Sequence, residues 1–195
     1  MKYYHIDRSN ALSEGQIINI NKEFTPNNDS GKLLIKKLFP DGVSAHGMHY
    51  LNDNVYFFDT GLPLFENIAT SNNYNSIYFA EYTFELVRRT FFSLMPSRYT
   101  SLFALKKLDE INQWPELTNG RYRIFEIETI DEFPVFDANL MKGGLCFNST
   151  KMYQGFSPSL NFKLAFSYWN GEISETPKPE VLLPLPITVG KQIIV

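Results

Sequence analysis

Cysteine is almost missing from this chain: Cys146 is the only one among 195 residues. No intrachain disulfide can form and no cysteine-rich metal site can be built, which points to a reducing compartment, with the cytoplasm as the expectation. An excess of positive charge is missing too. Lys and Arg number 18 against 21 Asp and Glu, a formal net charge of -3, so bulk charge will not draw nucleic acid and only a local basic groove could. No run approaches the ~20 consecutive apolar residues that span a bilayer. The opening residues, Met1-Lys2-Tyr3-Tyr4-His5-Ile6-Asp7-Arg8, turn polar at once, without the apolar stretch of a signal peptide, so neither secretion by the usual route nor membrane insertion is expected. What remains is 44% hydrophobic and 15% aromatic residues, the composition of one soluble domain spanning residues 1–195.

Along the chain, Tyr3 to Asp7 alternates as a short strand, with Ser9-Asn10 as turn chemistry, and Gln16 to Ile20 reads as a second strand. A loop at residues 25–31 leads to a short helix from Lys32 to Phe39, and residues 40–73, with a Val55-Tyr56-Phe57-Phe58 island, read as an extended loop packed on the domain. Ile77, Ala80, Phe84, Val87 and Phe91 recur at 3,4,3,4 spacing, the buried face of a helix that ends before Pro96 and carries a surface Glu85–Arg89 pair. Tyr99 to Leu105 reads as a strand and Lys106 to Trp114 as a helix stopped by Pro115. Arg121 to Thr129 follows as a strand, Leu160 to Trp169 as a helix stopped by Asn170-Gly171, and Glu180 to Leu183 as a continuously apolar strand. The order predicts an α+β domain without repeats.

Three places combine reactive residue types with strand ends. His5 shares a strand face with Tyr3 and Asp7, with Arg8 on the other face; a histidine beside tyrosines is most often packed or hydrogen-bonded. In Ser97-Arg98-Tyr99-Thr100-Ser101-Leu102-Phe103-Ala104, hydroxyls and an arginine meet an aromatic at the start of a strand; such a segment is commonly just a capped strand with a core Phe. Pro179-Glu180-Val181-Leu182-Leu183-Pro184 places a carboxylate against a buried strand, either as the strand's solvent end or as a group aimed into a cleft.

In this order the three segments resemble the motifs of the ADP-ribosyltransferase superfamily, whose members split NAD at its nicotinamide–ribose bond and pass on the ADP-ribose. Tyr3-Tyr4-His5 looks like the first-strand motif with His5 in the functional position. Ser101-Leu102-Phe103-Ala104, followed by Trp114 and the Tyr122 to Glu128 strand, is similar to the second motif, and Pro179-Glu180-Val181-Leu182-Leu183-Pro184 matches the catalytic-glutamate strand of toxin-like members. The resemblance implies a split β-sheet core with flanking helices and Glu180 as the catalytic residue. It implies that NAD, as co-substrate, is held by His5, Arg8, Ser101, Phe103, Tyr99 and Arg98, with no metal. Glu180 would steady the positive charge that grows on the ribose as the glycosidic bond breaks, and Phe103 or Tyr99 would offer nicotinamide a stacking face. Arg8 and Arg98 are the arginines nearest the motifs for the pyrophosphate. The resemblance further implies a bacterial, intracellular toxin of a toxin–antitoxin or phage-defence system, with a protein, RNA or DNA acceptor and an antitoxin partner. Lys178 stands where many toxin-like members have Gln or Glu, and the usual Ser-Thr-Ser run is absent. The first departure argues against arginine- or asparagine-directed transfer; the second makes Ser101 the choice over Ser97 by a narrow margin.

Rival chemistries are sparse. A metal hydrolase would need His46 and His49 with Asp41 or Asp53, but these histidines read as loop residues rather than helix neighbours. Cys146 beside Gly143-Gly144 has no local group to activate it. An inactive module of the same fold, binding or conferring immunity without turnover, and an NAD glycohydrolase that transfers to water are the alternatives. For a nucleic acid acceptor the basic clusters are Lys32, Lys36 and Lys37 with Arg88, Arg89 and Arg98, and the stacking candidates are Tyr50, Tyr74, Tyr78 and Tyr153.

Overall fold

The computed structural model describes residues 1–26, 29–51, 74–141, 145–148 and 153–194. Two three-stranded antiparallel sheets organise it. The first has the order β1-β4-β10, from Lys2–Asp7 (β1), Arg123–Glu128 (β4) and Gln192–Ile193 (β10). In the second, Pro179–Pro184 (β8) runs between Ser101–Ala104 (β3) and Val135–Asp137 (β5). The sheets meet at an isolated bridge between Tyr4 and Leu105, with N–H to O distances of 2.9 and 2.8 Å in the two directions. Ile17–Ile18 (β2) pairs with Ile187–Thr188 (β9), and Leu145–Asn148 (β6) with Tyr153–Phe156 (β7).

β8 is apolar without alternation because both of its faces are covered. Val181 and Leu183 join Tyr3 and Ile127 in a core cluster between the sheets, while Leu182 packs with Ala80, Phe84, Phe136 and Tyr168 under the helices. Glu180 shares the parity of Leu182 and therefore the helix-facing side.

Two helices cover that side. The helix Tyr74–Phe91 (α3; the shorter α1 and α2 precede it, at Asp29–Leu38 and Ala45–Leu51) buries Ala80, Phe84 and Val87 of the face that the 3,4 spacing predicts, whereas Phe91, at the last turn, is 56% exposed and the Ile77 side chain lies outside the described residues. A second buried stripe runs beside it, one residue on at each step: Glu81, Glu85 and Arg88. Glu85 is thus buried at 4% exposure, not the surface partner that its i,i+4 spacing to Arg89 suggests. The four-residue α4, Pro115–Thr118, precedes α5, Pro158–Trp169, which starts on Pro158 with Ser157 accepting from the Leu160 N–H and stops at Gly171, whose φ is +74°. Trp169 donates Nε1–H to the Phe84 carbonyl at 2.8 Å, locking α5 to α3.

Several elements differ from expectation. The stretch expected as one loop over residues 40–73 begins with α2; residues 52–73, including the Val55-Tyr56-Phe57-Phe58 island, lie outside the described residues. The strand expected over Tyr99 to Leu105 opens with a 3-10 turn, Arg98–Thr100, capped by Ser97 Oγ, and β3 itself is Ser101–Ala104. Leu108–Gln113 is 3-10 rather than α-helical, and Pro115 starts α4 instead of stopping a helix, because a proline at the first helical position lacks only an N–H that would have no partner there.

Candidate functional site

Glu180 lies opposite Phe136 in the β5–β8 ladder, which sets its carboxylate among the helices at 6% side-chain exposure. Among the described residues its donors converge on one oxygen, Oε1: Arg98 Nη1–H, and Tyr168 Oη–H at 2.8 Å. The same Nη1 also donates to Tyr168 Oη at 2.8 Å, closing a triangle. Burial first, and the Glu180 carboxylate besides, push the Tyr168 phenol well above its usual range, so it remains a proton donor.

Arg98 is held from behind. Its Nε and Nη2 donate to the two oxygens of Glu81, each at 2.9 Å, the bidentate fork that suits a guanidinium to a carboxylate. His46 on α2 approaches Glu81 Oε1 at 3.1 Å through Nε2. Burial alone would raise the Glu81 carboxyl; the charge of Arg98 and the His46 contact overcome it and bring the group down to about 2. A contiguous network therefore runs from β8 through the Arg98–Thr100 turn and α3 to α2.

His5 reaches this network from the other sheet. Its Nδ1 lies 2.7 Å from the Phe103 carbonyl oxygen, and since a carbonyl only accepts, Nδ1 carries the proton and Nε2 holds the lone pair. Burial lowers the imidazole pKa, outweighing the carbonyl that favours the charged ring. The Phe103 ring lies between the Arg98 guanidinium, 4.8 Å from its centroid, and the His46 ring at 4.5 Å; His46 packs in turn on Tyr50 at 4.6 Å.

The structure thus brings His5, Phe103, Arg98 and Glu180 into one chain of contacts. The other sequence candidates are placed differently. Ser101 is buried and donates Oγ–H to the Ser97 carbonyl at 2.7 Å, fixing the turn. Tyr99 is buried against Phe39, its phenol pushed up by burial, and among the described residues its Oη has no hydrogen-bond partner. Arg8 is exposed just beyond β1. Arg98, expected to face a pyrophosphate, is taken up by two carboxylates and a phenol. Lys178 pairs with Glu116 and lies over the Trp114 ring, whose Nε1–H donates to the Pro179 carbonyl at 2.9 Å and ties down the start of β8.

Glu81 and Tyr168 are the members of this network that sequence reasoning missed, and it weighed His46 only as a metal ligand. The stripe of Glu81, Glu85 and Arg88 at 4,3 spacing was the available signal, since it shares the period of the apolar face. Glu85 has the same kind of environment: Arg88 forks onto it at 2.9 and 2.8 Å, Arg89 Nε donates at 2.7 Å and Ser97 Oγ at 2.9 Å. Arg88 and Arg98 are consequently buried on internal carboxylates and unavailable to a basic surface, whereas Arg89, also paired with Glu85, stays 30% exposed beside the end of α1. His46 and His49 sit on helix α2, not in a loop, and His46 faces Glu81. Among the described residues no group of three or more His, Cys, Asp or Glu could hold a metal ion. Asp53, Gly143 and Gly144 lie outside the described residues, as do the side chains of Cys146, Tyr74, Tyr78 and Tyr153.

The model of a family described as "Protein of unknown function (DUF2441)" matches residues 3–194 of the chain. No curated protein matches it. Among the described residues no helix is long and apolar enough to cross a membrane.

Proposed function

The chain belongs to the DUF2441 family, and we propose that it is an NAD-dependent ADP-ribosyltransferase with Glu180 as its catalytic residue. The observation that carries the reading is convergence. The bridge from Tyr4 to Leu105 sets β1 beside β3, and β3 pairs with β8, so three segments from the start, middle and end of the chain share one neighbourhood. Within it the contacts run His5 to the Phe103 carbonyl, Phe103 ring to Arg98, and Arg98 to Glu180.

The residues fit the co-substrate in three respects. A neutral His5 with its proton fixed on Nδ1 offers Nε2 as an acceptor for a ribose hydroxyl. Among the described residues Arg98 and Tyr168 hold Glu180 by Oε1 alone, and Oε2 would accept the 2'-hydroxyl of the nicotinamide ribose. The rings of Phe103, His46 and Tyr50 follow one another in contact from Arg98 and offer aromatic surface. NAD supplies the labile bond: nicotinamide departs with the bonding electron pair, and the acceptor's nucleophile bonds to the ribose carbon and releases its proton to solvent. Glu180, held rigidly, stabilises the positive charge on that ribose without reorganising. The intracellular setting, a bacterial toxin or phage-defence role with an antitoxin partner, and an acceptor that is protein, RNA or DNA belong to the same proposal.

One observation favours a second reading. Glu180 is 5% exposed and its Oε1 is taken by two donors, as in a structural ion pair, which suits a binding or immunity module without turnover. Labelled NAD separates the two. Wild type is expected to release nicotinamide and to label one of cell protein, RNA or DNA, and Glu180→Gln to lower the rate ~100-fold or more with unchanged circular dichroism. Release without labelling selects a glycohydrolase; a folded wild type that consumes no NAD selects the module.

A further inference from the structure

Arg98 is one cation between two carboxylates, and the division is unequal. Glu81 takes Nε and Nη2 in a two-point fork at 2.9 Å each, whereas Glu180 receives Nη1 alone, which also serves Tyr168. Paired with Glu180 only, the guanidinium would cancel the carboxylate's field at any ribose beside it. With Glu81 present, the one positive charge of Arg98 stands between two carboxylates.

The side chains of Glu81 and Glu180 are 2% and 6% exposed, so water screens their charge little. The neighbouring cluster of Glu85, Arg88 and Arg89 has the opposite ratio, two cations on one carboxylate. Its second cation is Arg89, whose side chain is 30% exposed and which bonds the Leu38 carbonyl, where solvent attenuates its charge. A buried carboxylate pair that shares one guanidinium is costly to a fold, and such groups concentrate at functional sites.

We infer that Glu81 is a positioning residue for Glu180: by holding the fork of Arg98 it aims Nη1 at Glu180 Oε1 and shares the guanidinium's positive charge, leaving Glu180 negative charge to present to the ribose. This rests on the proposed action of Glu180 on NAD. Tyr168, a neutral donor, fixes the same oxygen without altering the charge. His46, with its side chain 22% exposed, meets Glu81 Oε1, the oxygen that Arg98 Nη2 also holds, at 3.1 Å.

The test compares shape with charge. Glu81→Gln keeps the length and planar shape but removes the charge and turns one of the fork's two acceptors into a donor; Glu81→Asp keeps the charge and both acceptors and shortens the arm. In steady-state nicotinamide release, Glu81→Gln is expected to lower kcat ~10-fold or more with the KM for NAD within ~2-fold, the signature of a group felt in the transition state. Glu81→Asp is expected to recover part of that loss, which a purely packing role would not produce. A Gln variant at wild-type kcat, or one equal to or better than Asp, overturns the inference. Should Glu81→Gln not fold, Glu81→Asp carries the test: kcat within ~10-fold at a steady KM supports it, and a raised KM at unchanged kcat overturns it. A wild type that releases no nicotinamide removes the reaction and both readings together. A working wild type with Glu180→Gln inactive and Glu81→Gln at full rate removes the role of Glu81 alone.

Discussion

At the scale of single residues, His5 carries the sharpest expectation. With Nδ1 2.7 Å from the Phe103 carbonyl and burial lowering its pKa, the ring should be neutral at pH 7 with its proton on Nδ1. The unfolded chain takes up a proton near 6.5 and the folded one only at lower pH. Between those values stability therefore falls as pH drops. Nitrogen-15 spectra of the imidazole are expected to show the Nδ1–H tautomer and a titration midpoint below 6.5; an Nε2–H tautomer, or a midpoint at or above 6.5, would contradict the assigned hydrogen bond. His5 and Glu180 are legible in the sequence because their cues are local, strand alternation for one and flanking prolines for the other. Glu81 and Tyr168 are not, because their meaning lies in partners far along the chain: Arg98 comes 17 residues after Glu81, and Glu180 comes 12 after Tyr168. Arg98 is legible as a residue that matters but not as to what it binds, since an arginine with an anionic ligand and one with two internal carboxylates look alike in one dimension.

At the scale of elements, legibility follows length and period. α3, with 18 residues and a sustained 3,4 repeat, can be read from the sequence, whereas α2 has seven residues, among them a glycine and two histidines, and owes its helix to docking. Strands of two to four residues, such as β5, β6, β7, β9 and β10, are too short to display alternation. The docking of α2 depends on Gly47. A Cβ there would stand 2.4 Å from the Tyr99 carbonyl oxygen and 2.9 Å from Val43 Cβ. Ser44 anchors the same turn, giving its N–H at 2.8 Å and its hydroxyl at 3.0 Å to that carbonyl. Alanine improves helix propensity by about 1 kcal/mol, but the contact is with backbone, which has little room to yield. Gly47→Ala is therefore expected to destabilise the protein by about 1 to 3 kcal/mol, the usual range for overpacking, in urea unfolding, and to shift the His46 resonances as the Glu81 contact opens. A variant as stable as wild type would mean that α2 is not seated on the Arg98–Thr100 turn.

At the scale of the whole molecule, the net charge of -3 hides how the charges are used. Exposed pairs such as Lys106–Glu132 contribute little, because solvent screens them; the buried carboxylates govern the response to acid. Asp7, 2% exposed, would be raised by burial, but hydrogen bonds from Ser9, the Leu12 N–H and Arg123 bring it down to about 2, the same level as Glu81. Both groups ionise at lower pH in the fold than unfolded, so their stabilisation is complete above the ordinary values of 3.8 and 4.5. It is lost as pH falls from there through about 2. Where the unfolded chain binds two more protons than the native one, stability declines by up to about 2.7 kcal/mol per pH unit, a steep loss for a domain holding roughly 5 to 15 kcal/mol. Urea midpoints are expected to vary little between pH 7 and 8 and to collapse below about pH 4.5, with a shallower slope in Glu81→Gln and in Asp7→Asn. Because the two carboxylates are themselves only 2% exposed, 1 M salt should leave the slope largely intact; an acid transition abolished by salt, or unchanged in both variants, would place the governing charges on the surface instead.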